Sequence, residues 1–263
     1  MQSKQSHADL IRSAFTAQAG YISTSPAFVS EERLKWLLDL VRLSGSDEEL
    51  RELEMLDVAC GAGVVAVPMA EHVRHVTGLD LTPAVIEKAE ELAGEKNAAN
   101  CKFVLGNASD LPFPDGSFDI VTCTSAFHHF DEPERIMAQM ARVLKPDGAL
   151  CALDITTSEV PPIRALHQEM ERLRDPSHIT NLTPSNWRRM AQNAGLNVRL
   201  LGVLPSYRDL DEWMTICPAE TRDRVRLLFE QDVVDDKSGL EVRRDGDAIL
   251  FTHPMLLIRA EKT

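Results

Sequence analysis

LDVACGAGVVA, Leu56 to Ala66, is the stretch on which the reading of this chain turns. An apolar run reaches an acid, then two glycines spaced G-x-G, then small and β-branched residues that can open a helix. That pattern ends a buried parallel strand in a loop whose backbone can approach a ligand closely. Gly61, Gly63 and Ala66 satisfy the G-x-G-x-x-G/A fingerprint of a dinucleotide site. Asp57, Ala59, Gly61 and Gly63 fit another adenosine-bearing cofactor equally well. The loop by itself leaves both readings open.

Working outward, "LEMLDVAC" reads as a strand and "VVAVPMAEHV" as the helix after it, with "HVTGLD" a second strand ending in an acid. In "LTPAVIEKAEELAGEKN", Thr82 stands as a cap with Pro83 at the first helical position. Val85, Ile86, Ala89, Leu92 and Ala93 then recur at helical spacing. "CKFVLGN" and "FDIVTCTS" continue the strands. Asp131 precedes the helix of "EPERIMAQMARVLKPDG", "ALCALDIT" is a fifth strand, and "LNVRLLGVL" and "AILFTHPMLLIRA" bring the total to seven. Strands alternating with helices of this length imply a doubly wound, mostly parallel α/β sheet with helices on both faces. Ligands of such sheets bind beyond the carboxyl ends of the strands.

Two regions fall outside the alternation. Residues 1–45 read as two helices joined by a polar hinge, "QAGYISTSPAF", and form an N-terminal helical lid over a main domain at 46–263. Residues 205–246, with the amphipathic "DEWMTICPAETRDRVRLLFEQDVV", are a helical insertion before the last strand, for packing or a homodimer contact. With 41 acidic against 28 basic side chains, the net charge of −13 argues against a nucleic-acid partner and for a small molecule. Five scattered cysteines without C-x-x-C spacing read as reduced, buried thiols. The N-terminus has no apolar leader and no run is long enough to span a bilayer, so no membrane insertion and a cytoplasmic location are expected.

The cofactor is decided further along. Asp80 ends the second strand 17 residues past Gly63, where a carboxylate can accept from two ribose hydroxyls of either cofactor. "LDVACGAG", "GLDLTPAVIEKA", "GNASDLPFPDGSFDIV" and "ARVLKPDGAL", in this order and spacing, closely resemble class I S-adenosylmethionine-dependent methyltransferases, in particular the ubiquinone/menaquinone C-methyltransferase group. The resemblance spans roughly residues 10–200 and implies a Rossmann-like methyltransferase fold binding S-adenosylmethionine. It places Asp57, Ala59, Gly61 and Gly63 under the methionyl part, Asp80 on the ribose and Leu81 beside the adenine. Asn107 and Ala108 meet the adenine edge, and Thr124 or Ser125 lines the pocket by the sulfonium. Relatives commonly carry Asp at position 107; an Asn oxygen still accepts a bond from the adenine amino group, without charge. "FTAQAGYISTS" resembles the segment that closes over the cofactor, with Tyr21 and Gln18 at its carboxylate or over the substrate.

The implied reaction moves a methyl group to a carbon or oxygen of a small acceptor, aromatic, quinone-like or polyketide-like. Such an acceptor must lose a proton, and histidine titrates near neutrality. His129, beside His128 after the fourth strand, and His178 in "RDPSHITNLTPSNW" fall near the cleft and are the candidate bases. His7, His72, His75, His167 and His253 fall on helix surfaces, a terminus or a distant strand. Adjacent side chains diverge, so His128 and His129 make no metal site, and none is expected elsewhere. Two other readings carry less of the pattern: a cofactor-binding relative that does not methylate, such as a cyclase or regulator, and an NAD(P)-dependent oxidoreductase.

Overall fold

A computed structural model describes residues 7–24 and 31–262, the side chains of 21–24 excepted. Its helices are α1 (His7–Thr24), α2 (Glu31–Arg42), α3 (Asp47–Leu50), α4 (Ala66–Met69), α5 (Pro83–Glu95), α6 (Pro133–Val143), α7 (Pro161–Arg174), α8 (Pro184–Asn193), α9 (Leu210–Trp213) and α10 (Ala219–Asp235). Its strands are β1 (Glu54–Val58), β2 (His75–Asp80), β3 (Cys101–Leu105), β4 (Phe118–Thr124), β5 (Leu144–Ile155), β6 (Leu196–Asp209), β7 (Arg243–Asp245) and β8 (Ala248–Lys262).

The strands form one sheet in the order β3-β2-β1-β4-β5-β8-β6, with β7 paired to β8. The pairs from β3 through β5 are parallel; β8 is antiparallel to β5, β6 and β7. β1 lies between β2 and β4, which explains why its Met55, Leu56 and Val58 are fully buried. The order reverses between β1 and β4, and there the sheet opens a crevice at the strand ends. Core layers lie on both faces. Leu56, Val121, Ile136, Met140, Trp187 and Ile258 belong to one, and Leu37, Val41, Met55, Met69, Ile120 and Leu257 to the other.

Several elements differ from expectation. The sheet has eight strands, the extra one being the short β7 that folds back on β8. The helix expected over 64–73 closes after Met69, because the chain must re-enter the sheet at His75. The hinge expected at 18–28 is helical as far as Thr24, so Gly20 sits inside α1. Ala19 explains this: it is buried against Ala62 and Val85, which seats α1 on the glycine loop and α5. The rest of that hinge lies outside the described residues. Thr82 does precede α5, but its hydroxyl makes no cap bond, whereas Thr183 caps α8 through a full capping box. β6 runs on to Asp209, so the insertion begins later than residue 205. Its α9 and α10 share a separate core of Trp213, Met214, Phe229 and Phe251 with Met170 of α7.

Candidate active site

At the crevice the backbone turns sharply. Ala59, Gly61 and Gly63 take φ of 56°, 53° and 78°, the left-handed region that side chains disfavour. A Cβ on Gly63 would come within 3.1–3.3 Å of Ala89 and Phe103, so glycine lets the loop lie flat on α5 and β3. The loop borders a cavity of about 580 Å³. The cavity is lined by Ala59, Cys60, Gly61 and Ala62 of the loop, Asp80, Leu81 and Thr82 at the end of β2, Asn107 and Ala108 after β3, and Thr124 and Ser125 at the end of β4. Opposite stand His7, Ile11 and Phe15 of α1, Arg33, Leu34 and Leu37 of α2, and His129.

Two carboxylates govern the loop side. The Gly61 N–H donates to Asp80 Oδ2 at 3.0 Å and the Thr82 N–H to Oδ1 at 2.9 Å. Both oxygens keep a second lone pair, so the carboxylate is aimed and can still accept two hydroxyls. Burial raises its pKa against the pull of those N–H bonds. Asp57 lies one layer down, 1% exposed and absent from the cavity wall. Its Oδ1 accepts from Thr122 Oγ1 at 2.7 Å, while Oδ2 has no partner among the described residues. Burial pushes its pKa up to about 7. A buried acceptor without a donor, beneath a loop bent to admit a ligand, fits a cofactor that carries positive charge and amino hydrogens.

Of the other expected contacts, Ala59, Gly61, Leu81, Asn107, Ala108, Thr124 and Ser125 reach the wall. Gly63 does not: it supports the loop from behind. Asn107 Oδ1 already accepts from Ser109 N at 2.9 Å and Oγ at 3.0 Å, which turns the amide nitrogen, a donor, toward other partners. Tyr21 falls in the last turns of α1, and its side chain lies outside the described residues.

The two candidate bases part company. His129 is on the wall, with Phe15 edge-on at 5.1 Å and its Nδ1 facing Ser177 O at 3.2 Å and Oγ at 3.1 Å. A proton on Nδ1 satisfies the carbonyl and leaves Nε2 bare. Burial, then the charge of His128, lowers its pKa to about 4, so it stands neutral at physiological pH. His178 is absent from the wall; its Nε2 faces Gln168 Oε1 at 3.2 Å, and burial takes its pKa to about 2. His128 instead holds Asp154 at 2.6 Å; burial opposes its charge, and that carboxylate outweighs burial to raise its pKa.

Sequence reasoning missed three things. His7, read as a terminal residue, lines the cavity and reaches the His129 carbonyl at 2.7 Å. Arg33 is on the wall, bonded to Ser206 Oγ at 3.1 Å; burial and Arg208 lower its pKa to about 10, which leaves it charged. His167 and His253, read as lying apart, meet around Glu171. The i,i+4 pair in "HQEME" was the one local signal for that cluster; its third member is far away in sequence.

The sheet order, the glycine loop and the aspartate at the end of β2 define a class, the S-adenosylmethionine-dependent methyltransferases. A family model described as a methyltransferase domain matches residues 56–152. Over 224 residues the chain is 36% identical to the uncharacterized methyltransferase YcgJ of Bacillus subtilis, covering 80% of this chain and 85% of that protein. The chain therefore belongs to the methyltransferase family and is an S-adenosylmethionine-dependent methyltransferase. The crystal structure of the YcgJ protein superposes with a TM-score of 0.79 at 29% identity, covering 86% of this chain and 97% of that one. Demethylmenaquinone methyltransferase of Listeria welshimeri is 33% identical over 131 residues, 49% of this chain and 54% of that enzyme. Among the described residues no helix is long and apolar enough to cross a membrane.

Proposed function

We propose that the protein, working in the cytoplasm, methylates a carbon or oxygen of a small aromatic, quinone-like or polyketide-like acceptor. The observation that carries this reading is that Ile11, Phe15, Leu34 and Leu37 line the cavity together with the Arg33 side chain. Such a wall suits a flat, largely apolar molecule that bears a phenolate, enolate or carbonyl oxygen. The quinone chemistry in the name of the Listeria enzyme points the same way.

S-adenosylmethionine supplies a methyl group on a sulfonium already activated by its charge. Asp80 would hold the ribose hydroxyls, Leu81, Asn107 and Ala108 the adenine, and Ala59, Gly61 and Thr124 the methionyl end with Asp57 beneath it. Tyr21 would close the cofactor side. The chain's main contribution is alignment and exclusion of water. His129 and Arg33 border the acceptor: Arg33 stabilises negative charge on its oxygen, and neutral His129 can take a proton only from an acidic acceptor. His178 belongs to the packing behind His129. Residues 1–45 serve as the lid over domain 46–263, with 205–246 as its packed insertion.

Incubation with methyl-labelled donor and a panel of quinols, phenols, enols and amines tests this. Label and S-adenosylhomocysteine should appear with a quinol, phenol or enol. Transfer confined to amines would overturn the acceptor class.

A further inference from the structure

Behind the His129 side of the cavity, three buried side chains from separate parts of the chain converge. His167 and Glu171 lie one turn apart on α7, and His253 comes from β8. Their exposures are 1%, 1% and 4%, and one ligating atom from each falls within 4.8 Å of the others. His167 Nε2 stands 3.3 Å from Glu171 Oε1, and His253 Nε2 stands 2.7 Å from the same oxygen. Asn181, buried in the segment after α7, brings its amide to 3.3 Å from His167 Nε2.

Hydrogen bonding alone serves this cluster poorly. To bond Glu171, His167 Nε2 must carry a proton; to accept from the Asn181 amide nitrogen it must be bare. Asn181 Oδ1, as placed, has no partner among the described residues. The oxygen and nitrogen of an asparagine amide exchange by a half-turn of the side chain. That turn aims Oδ1 at His167 Nε2, beside two imidazole nitrogens and a carboxylate oxygen that lie within 4.8 Å of one another. In a tetrahedral zinc site with bonds of about 2.0–2.1 Å, donor atoms stand about 3.3–3.4 Å apart. Of the separations given above, two are 3.3 Å, and small side-chain rotations would open the 2.7 Å between His253 Nε2 and Glu171 Oε1. The Thr157 hydroxyl lies 3.1 Å from His167 Nδ1, the outer partner that commonly orients a ligating imidazole.

We propose that His167, Glu171, His253 and Asn181 form a closed structural site for a divalent transition ion of zinc type. Nitrogen and oxygen donors without thiolate suit zinc, cobalt or ferrous iron. Full burial with four protein donors marks a structural ion, since a catalytic one keeps a position open to solvent. The ion ties α7 and β8 to the segment of residues 175–183. That segment carries Ser177 against His129, and the N–H groups of Ile179 and Thr180 both donate to the His128 carbonyl. The site therefore fixes one wall of the cavity.

Untagged protein purified without chelator from medium containing zinc, iron, manganese and cobalt tests the proposal by elemental analysis. One equivalent of a transition ion per chain is expected. Stripping it with a strong chelator should lower the melting temperature and speed amide exchange over 175–183. Titrating Co²⁺ into the stripped protein should give intense tetrahedral visible absorption, absent in His253→Ala. If that variant does not fold, Asn181→Ala takes its place and should show a weakened band. Substoichiometric metal together with no cobalt band in folded wild type would overturn the proposal. So would a full equivalent retained in folded His253→Ala. No readout requires turnover, so the ion stands or falls independently of the acceptor assignment.

Discussion

The two walls of the cavity are built by different means. The loop wall is made of backbone turns at the ends of β1, β2, β3 and β4, with Asp80 pinned by N–H groups of Gly61 and Thr82. The facing wall is made of side chains on α1 and α2 and on the turn after β4, which lies far from both helices in sequence. A ligand common to a whole family is held by backbone geometry and one aimed carboxylate, which tolerate few alternatives. A ligand peculiar to one protein is shaped by side chains on elements laid over that frame. The walls should therefore respond differently to change.

The largest effect is expected on the facing wall. Removing residues 1–25 takes away His7, Ile11 and Phe15, and turnover should fall by about 100-fold or more from lost alignment and water exclusion. Melting temperature should fall little, since Ala19 is the one buried residue among the described side chains of α1. Equal losses in both would show that α1 is part of the core. In intact protein, S-adenosylhomocysteine should slow amide exchange in α1 and leave residues 218–235 unchanged.

Next comes Asp57, under the loop wall. Its folded pKa of about 7 lies above the ordinary carboxyl value of about 3.9. Folding therefore favours its protonated form, and that contribution is full below about pH 4 and fades as pH rises through 7. Asp57→Asn removes the charge, so it should be more stable than wild type at pH 8 by roughly 1–4 kcal/mol and nearly equal at pH 4. Cofactor affinity should fall in exchange. Urea unfolding at the two pH values checks this, and parallel shifts at both would refute the pKa assignment.

The smallest effect is expected at Ala59. Its left-handed backbone costs an alanine about 1 kcal/mol, part of which glycine relieves. Ala59→Gly should stabilise the protein by roughly 0.5 kcal/mol, seen as a small rise in urea midpoint, with cofactor affinity unchanged.

How much was legible in the sequence follows the same division. The loop wall was readable because each part is local: an apolar run, G-x-G, an acid at the next strand end, all within one βαβ unit. Asp57 and Gly63 were placed in the right loop but on its inner face, a distinction of side-chain direction that spacing does not encode. Asn107 was read by its substitution, whereas Ser109 two residues on decides which end of its amide is available. The facing wall was mostly illegible. His7 and Arg33 reach the cavity only because Ala19 and the α2 core seat their helices. His178 looked equivalent to His129 because both follow sheet-edge turns; packing put Gln168 against one and the cavity against the other. The His167, Glu171 and His253 cluster depends on β8 returning antiparallel beside β5, a long-range pairing no motif announces.

The central claim, that the loop wall binds an S-adenosyl ligand through Asp80, is tested most directly by calorimetric titration of folded protein with S-adenosylhomocysteine. One site of micromolar affinity is expected for wild type, on the scale of enzyme KM values. Binding should weaken by about 1.5–3 kcal/mol in Asp80→Ala, the scale of hydrogen bonds to a charged group. Absence of binding to folded wild type, or identical affinity in Asp80→Ala, would contradict the account.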